Sequence, residues 1–533
     1  MSRIFQVLTV TAILFYGCKE NKEKDQTPVT PRDTTINEKN SYSEMFFDSA
    51  RMEQYIVREK IPDTLANRIR SFYNSRNYQY AWFLDGTIAE YVPTFIEMQS
   101  NYIGYSGDSS LYDPKLGSVI DSIKNNKDSF NVKSPLLLST ELRLTETFFR
   151  FAHRAWAGSH EQPKDLGWFI PRKKVDVVSQ LDSLIKNKGK DVERYEPVNR
   201  QYNLLKDYLV KYYDIQKEGG WPTIPDIGKK TYKAGDSAAA IVNIKKRLIA
   251  SGDLKDKDTG NLFTPELAEA VKNYEARYGF TEDGKVNNKL VAEMNKPVGD
   301  RIRQLLINME RIRWVPADPP SDYLLINIPE YRLHVYENGK HAWDMGVVVG
   351  TPAHNTVIFS GDLQYIVFSP YWNVPPGILK NEVLPGIKKN PNYLAKHHME
   401  WNGKNNVRQL PGPWNSLGAV KFLFPNSYNI YLHDTPSRSL FDRDQRAFSH
   451  GCIRLHEPKR LAEYLLRNEP KWDSTSITKA MKANKEQYVT LKKTVPVFIG
   501  YFTAWVDRQG RLNFRDDVYG HDKKMAEHLF AAK

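Results

Sequence analysis

The chain has 533 residues, 41% hydrophobic and 12% aromatic, which excludes a disordered protein and suits two to four packed domains. Lys and Arg (76) outnumber Asp and Glu (63) by 13, favouring acidic neighbours such as phospholipid headgroups or a carboxylate-rich wall polymer. No nucleic-acid-binding module and no basic run with interleaved aromatics occurs, so nucleic acid is not an expected partner.

The first element is "MSRIFQVLTVTAILFYGCKEN". Arg3 gives a positive start, and the apolar run Ile4 to Tyr16 is shorter than the roughly 20 residues of a membrane span. It ends at Gly17-Cys18 and resembles a bacterial lipoprotein signal, which implies cleavage and a lipidated Cys18. Phe15 and Tyr16 are bulkier than the usual residues there, and an uncleaved anchor or ordinary signal peptide are the alternatives. Residues 1–18 are thus expected to be a signal peptide. The polar stretch 19–40 reads as a flexible tether. Lys19 after the modified cysteine favours the outer membrane, with the protein facing the periplasm.

Residues 41–230 carry helical, aromatic-rich patterns such as "PDTLANRIRSFYNSRNYQYAWF" and predict a helical scaffold domain. Residues 235–297 form a compact unit: Ile241, Ile244 and Leu248 share a helical face, and Thr264-Pro265 starts a second helix. The "AVKNYEARYGFTEDGKV" stretch resembles the small three-helix peptidoglycan-binding domain. That resemblance implies wall binding, although such a unit can also simply brace its neighbours. An amphipathic linking helix follows at 298–320, and from 321 to 533 the pattern is mostly strands. The fold class expected is therefore multidomain α+β: a helical scaffold, a three-helix unit and a mostly β catalytic domain.

With Cys18 lipidated, Cys452 is the single thiol of the mature chain. It lies in "SHGCIRLHEP", where Gly451 permits a backbone conformation costly for other residues and Ile453 and Leu455 alternate as in a strand. A nucleophilic cysteine needs a base or cation nearby, and His433, His450 and Arg454 are the candidates. Zinc held by Cys452 with His433, His450 and His456 is a weaker reading, because those spacings fit no common zinc motif. A buried core thiol is the remaining one. His397-His398 lies in a polar loop and reads as surface.

His433, fifteen intervening residues and then Ser-His-Gly-Cys-Ile-Arg resemble the catalytic motif of the L,D-transpeptidases of the YkuD fold. "SPYWNVPPGIL", "PGPWNSLGAVKFLFPNSYNIYLHDTP" and the order of domains extend the likeness to the large YcbB type, which Arg454 also fits. The resemblance implies Cys452 as nucleophile, His433 as general base and acid, His450 in support, and the Gly451 N–H as an oxyanion donor. Arg454, Ser449 and Trp372 would meet the substrate, and a segment at about 377–419 would form a lid. It implies no metal and no organic cofactor. The partners implied are peptidoglycan stem peptides, joined 3→3 through a thioester, and a membrane held by the lipid. The same thioester resolved by water would give an L,D-carboxypeptidase, and resolved by a protein lysine would give wall-protein attachment. A non-enzymatic wall-binding lipoprotein is the alternative of a different class.

Overall fold

The computed structural model describes residues 28–41, 43–125, 134–158, 163–192, 196–255, 258 and 260–530. The signal peptide, Cys18 and residues 19–27 of the expected tether lie outside the described residues. The remainder, 28–40, is fastened rather than free: the Thr30 N–H donates to Ser71 Oγ at 3.0 Å, the Asp33 N–H to the Asn74 carbonyl at 2.9 Å and Arg32 to Asn77 at 2.6 Å. No helix among the described residues is long and apolar enough to cross a membrane.

The chain divides into two compact units, one of residues 1–100, 109–151 and 176–195, the other of 101–108, 152–175 and 196–533. In the first, helices α1 (Ser49–Arg58), α2 (Asp63–Asn74), α3 (Pro135–Ala152) and α4 (Val177–Lys186) dominate. Their amphipathic faces bury Phe72, Tyr73, Trp82 and Phe148 completely. Glu141 lies within this core, where its carboxylate accepts the Ala81 and Trp82 N–H groups and the Tyr73 hydroxyl. Those bonds offset part of the cost of burying a charge, and burial still pushes the carboxyl up to about 7.

The expected scaffold span 41–230 does not stay together, because α5 (Arg200–Lys217) belongs to the second unit. Gln201 exchanges side-chain bonds with both backbone groups of Val506, and Arg313 donates to the Tyr202 hydroxyl at 2.7 Å. The three-helix unit, α6 (Ala239–Ala250), α7 (Pro265–Tyr278) and α8 (Asn288–Met294), shares this core with α9 (Val298–Trp314). Thr264 caps α7 by accepting the Leu267 N–H, and Gly279 ends it at φ +77°. Arg277 reaches out of α7 to the Leu512 carbonyl. The helices are therefore not free-standing: the buried arginine and a Tyr278–Phe514 ring contact (5.5 Å between centroids) join them to the C-terminal hairpin, in which Ala504–Val506 pairs with Leu512–Phe514.

The C-terminal region is built on a nine-stranded sheet. Its strands are β1 (Tyr323–Asn327), β2 (Arg332–Glu337), β3 (Lys340–Gly350) and β4 (Ser360–Phe368). A separate three-stranded sheet follows, of β5 (Trp372–Asn373), β6 (Met399–Trp401) and β7 (Val407–Gln409). The main sheet resumes with β8 (Val420–Leu423), β9 (Leu432–His433), β10 (Ala447–Ser449), β11 (Ile453–Leu455) and β12 (Gln487–Gly500). The order is β10-β3-β11-β9-β8-β4-β12-β1-β2, and β2 pairs with β3, so the sheet closes on itself. Closure leaves fewer free edges and encloses a core of Leu324, Ile366, Phe422, Leu432, Ile453 and Leu455.

Candidate active site

Strands β9 and β11 are parallel neighbours in the register Leu432↔Ile453 and His433↔Arg454. One step back sets Tyr431 beside Cys452, where the Ile453 N–H donates to the Tyr431 carbonyl at 3.2 Å. Strand side chains alternate between faces, so Leu432, Ile453 and Leu455 enter the core, fully buried. Tyr431, His433, Cys452 and Arg454 share the other face. Lys421, paired with His433 across from β8, joins them. Residues separated by about twenty positions in sequence become one cluster through this register.

Cys452 is half-buried, and its Sγ lies 3.6 Å from the Asn429 carbonyl oxygen. Burial pushes the thiol up, opposed by hydrogen bonds to Tyr431 and by the charge of Arg454. His433 is buried, and its Nδ1 donates to the Asp434 carbonyl at 2.5 Å. Burial, and then the neighbouring Arg454, pushes its ring down to about 3. The ring is therefore neutral at ordinary pH, with Nε2 as its basic nitrogen. The thiol is bonded to Asn429 and Tyr431 rather than to His433, so the pair rests as neutral thiol and neutral imidazole. Arg454 is half-buried, its Nε has no partner among the described residues, and burial lowers its pKa.

The turn that presents Cys452 is braced from several sides. Gly451 has φ +111°, a conformation that favours glycine. Its carbonyl accepts the Thr356 hydroxyl at 2.8 Å, and Thr356 Oγ1 in turn accepts the Gly350 N–H at 2.9 Å. Tyr519 donates to the Gly350 carbonyl at 2.7 Å.

Several expected roles move. Ser449 is buried, donates to the Cys452 carbonyl at 2.5 Å and accepts the Gly451 N–H at 3.2 Å. Its hydroxyl closes the turn with both its donor and its acceptor side. For the same reason the Gly451 N–H, expected to meet an oxyanion, is already taken. Among the described residues it is the Cys452 N–H that meets no acceptor. His450 is exposed and turned to the His354 ring (5.1 Å between centroids) and Glu382 (3.8 Å), not to the thiol. Trp372 lies in β5 and packs on the small core of Val374, Leu379, Val383 and Val407. His398 is surface, as expected, but stacked on Trp414 at 3.8 Å.

The segment expected as a lid is a folded piece with its own sheet and core, preceding β8. Its return is pinned beside His433. The Asn415 amide donates to the Pro370 and Leu410 carbonyls, its oxygen accepts the Leu417 N–H, and Asp434 Oδ2 accepts the Ala419 N–H at 2.8 Å. Gly418, at φ +63°, leaves room for that carboxylate, since a Cβ there would lie 2.4 Å from Oδ2.

Tyr431 escaped the sequence reading although it stands two positions before His433, where alternation along a strand would have picked it out. Gly350 and Thr356 left no comparable signal, being about a hundred residues from the turn they support. Among the described residues no group of metal donors forms around Cys452: His456 packs against Phe441, and the donors close enough to share an ion are His334, His341 and Asp344.

Comparison with known proteins matches residues 321–497 to the L,D-transpeptidase catalytic domain (YkuD), 67–209 to a scaffold domain and 237–294 to the domain described as "Putative peptidoglycan binding domain". A curated Haemophilus influenzae protein named "Putative L,D-transpeptidase" is 32% identical over 243 residues, 42% of this chain and 49% of that one. The match thus spans about half the length of that relative. Among solved structures, an L,D-transpeptidase from Mycobacterium smegmatis (13% identical, 34% of this chain and 58% of that chain) has a TM-score of 0.20. One from Stackebrandtia nassauensis (15%, 52% and 97%) has a TM-score of 0.21. Superpositions that loose decide nothing.

Proposed function

We propose, for a chain that carries a YkuD-type L,D-transpeptidase catalytic domain behind scaffold and peptidoglycan-binding-type domains, that it joins peptidoglycan stem peptides through a Cys452 thioester. The observation that carries this reading is the placement of Tyr431, His433, Cys452 and Arg454 on one face of β9 and β11. Cys452 Sγ attacks the carbonyl carbon of the third residue of a donor stem while His433 Nε2 takes the thiol proton. The oxyanion is met by the Cys452 N–H, a contact of a kind worth about 3–4 kcal/mol. Collapse breaks the C–N bond to the terminal D-alanine, whose nitrogen receives the proton from His433. The amine of a second stem's third residue then attacks the thioester, His433 accepts its proton, and the thiolate leaves to give a 3→3 link. Arg454 and Tyr431 steady the sulfur charge as it develops. Incubating the protein with disaccharide-tetrapeptides and analysing muropeptides by mass spectrometry tests this: a 3→3 dimer is expected, and its absence with tripeptide accumulating would mean hydrolysis instead.

A neutral resting pair has a pH signature. His433, held at about 3, stays unprotonated throughout the neutral range and gains a proton only as pH falls towards that value. The raised thiol ionises only in alkali. Carbapenem acylation followed by stopped flow should therefore be flat through pH 6–7 and climb at alkaline pH; a step near 6.5 would mean a titrating His433.

The folded segment before β8 serves, in this reading, as a lid that keeps water from the thioester. Cutting inside it would open the Val383–Val407 core, so the test replaces 377–413 as a whole with a short Gly-Ser link. Small carbapenems should still acylate Cys452, and the ratio of 3→3 dimer to hydrolysed tripeptide should fall. We assign the N-terminus to a lipid anchor at Cys18: Cys18→Ser should move the protein from the membrane to the soluble fraction with activity on soluble fragments retained.

A further inference from the structure

We propose that His334, His341 and Asp344, on the β2–β3 hairpin, form a binding site for a borderline divalent transition ion such as zinc. Their ligand atoms all lie within 4.8 Å of one another. A bulge between Val335 and Tyr336 shifts the pairing, so that His334 faces Asp344 while His341, opposite Tyr336, comes onto the same face. His334 Nδ1 is 3.1 Å from His341 Nε2, and His341 Nε2 is 3.5 Å from Asp344 Oδ2. Metal–nitrogen and metal–oxygen bonds of about 2.0–2.2 Å set ligand atoms about 2.9–3.5 Å apart at coordination angles between octahedral and tetrahedral. Both separations fall in that range.

The outer arrangement fits as well. Glu330, half-buried, sits 2.9 Å from His334 Nε2, so the Nε2–H donates to it and Nδ1 presents its lone pair towards His341. A carboxylate behind a histidine in this way is the usual support of a metal ligand. Arg332 pairs with Asp344 through Oδ1, leaving Oδ2 for the site. Two imidazoles and one carboxylate select zinc, cobalt, nickel or copper over magnesium or calcium, which require oxygen donors. Such an ion would clip β2 to β3, the strand whose last residue, Gly350, supports the Cys452 turn.

Titrating the full-length protein carrying both Cys18→Ser and Cys452→Ala with ZnCl2 by calorimetry removes both thiols as competing ligands. One ion per chain is expected, together with a rise in melting temperature and, with CoCl2, visible d–d absorption. His341→Ala should abolish all three signals, and Asp344→Asn, close in shape, should weaken binding with the fold preserved by circular dichroism. Glu330→Gln should keep one site at roughly tenfold or more lower affinity. Absence of saturable zinc binding by this thiol-free protein, or binding unaltered when His341→Ala or Asp344→Asn is added to it, would overturn the assignment and leave a histidine–histidine hydrogen bond.

Discussion

Replacing Cys452 with alanine should eliminate 3→3 dimers and the carbapenem adduct together, with turnover falling by at least about 10⁴-fold, as removal of a covalent nucleophile does elsewhere. The fold should survive. Cys452 is half-buried in a turn held by other groups: Ser449 binds its carbonyl, Thr356 binds Gly451, and Ile453 anchors the start of β11 to Tyr431. None of these bonds uses the thiol, so the stability change should stay within about 1 kcal/mol. Mass spectrometry after carbapenem incubation, with a thermal melt of the same sample, separates the two effects. An adduct persisting in Cys452→Ala would remove the thioester from the mechanism.

Gly350→Ala should damage the protein from a position that touches no substrate. A Cβ at Gly350 would lie 2.0 Å from the His354 carbonyl oxygen, 2.9 Å from the Thr356 nitrogen and 3.1 Å from Gly451 Cα. All three are backbone atoms, so no side chain can swing aside to relieve the clash. Either the 351–356 turn or the Ser449–Cys452 turn must move, and each holds the other through Thr356. Overpacking at this level costs about 3 kcal/mol or more. The melting temperature should then drop by about 2–4 °C for each kcal/mol in a domain of this size. Acylation should slow too, because the displaced turn carries the sulfur away from Tyr431 and Arg454. Gly339→Ala, in an open hairpin turn where a Cβ meets nothing within 4 Å, is the control; its strain comes from φ +71° alone and should leave acylation unchanged. A Gly350→Ala protein with wild-type melting and acylation would show that the two turns are not coupled.

Much of this protein is legible in its residues because the signals are local. Thr264-Pro265 starts a helix and Gly279 ends it by satisfying or freeing backbone groups within one turn of chain. The alternation of Ile453, Arg454 and Leu455 assigns faces to a strand before any partner is known. The Ser-His-Gly-Cys turn with His433 upstream was sufficient to single out Cys452, since a lone thiol beside basic groups is chemically conspicuous. The residues whose roles changed are those whose partners are supplied by other parts of the chain. Whether the Ser449 hydroxyl faces a ligand or its own turn, whether the Gly451 N–H is free, and whether Trp372 lines a groove or packs on the small Val374–Val407 core are questions of where each group points. Sequence spacing carries no information on that. The same holds for the three-helix unit, whose amphipathic pattern calls for a partner without saying which; the structure supplies α9 and the terminal hairpin. Local propensity, periodicity and the sparse use of cysteine determined the elements and singled out the Cys452 thiol. Register, sheet closure and the approach of Gly350 to Gly451 were decided only by the tertiary fold, because they depend on contacts between segments about a hundred residues apart.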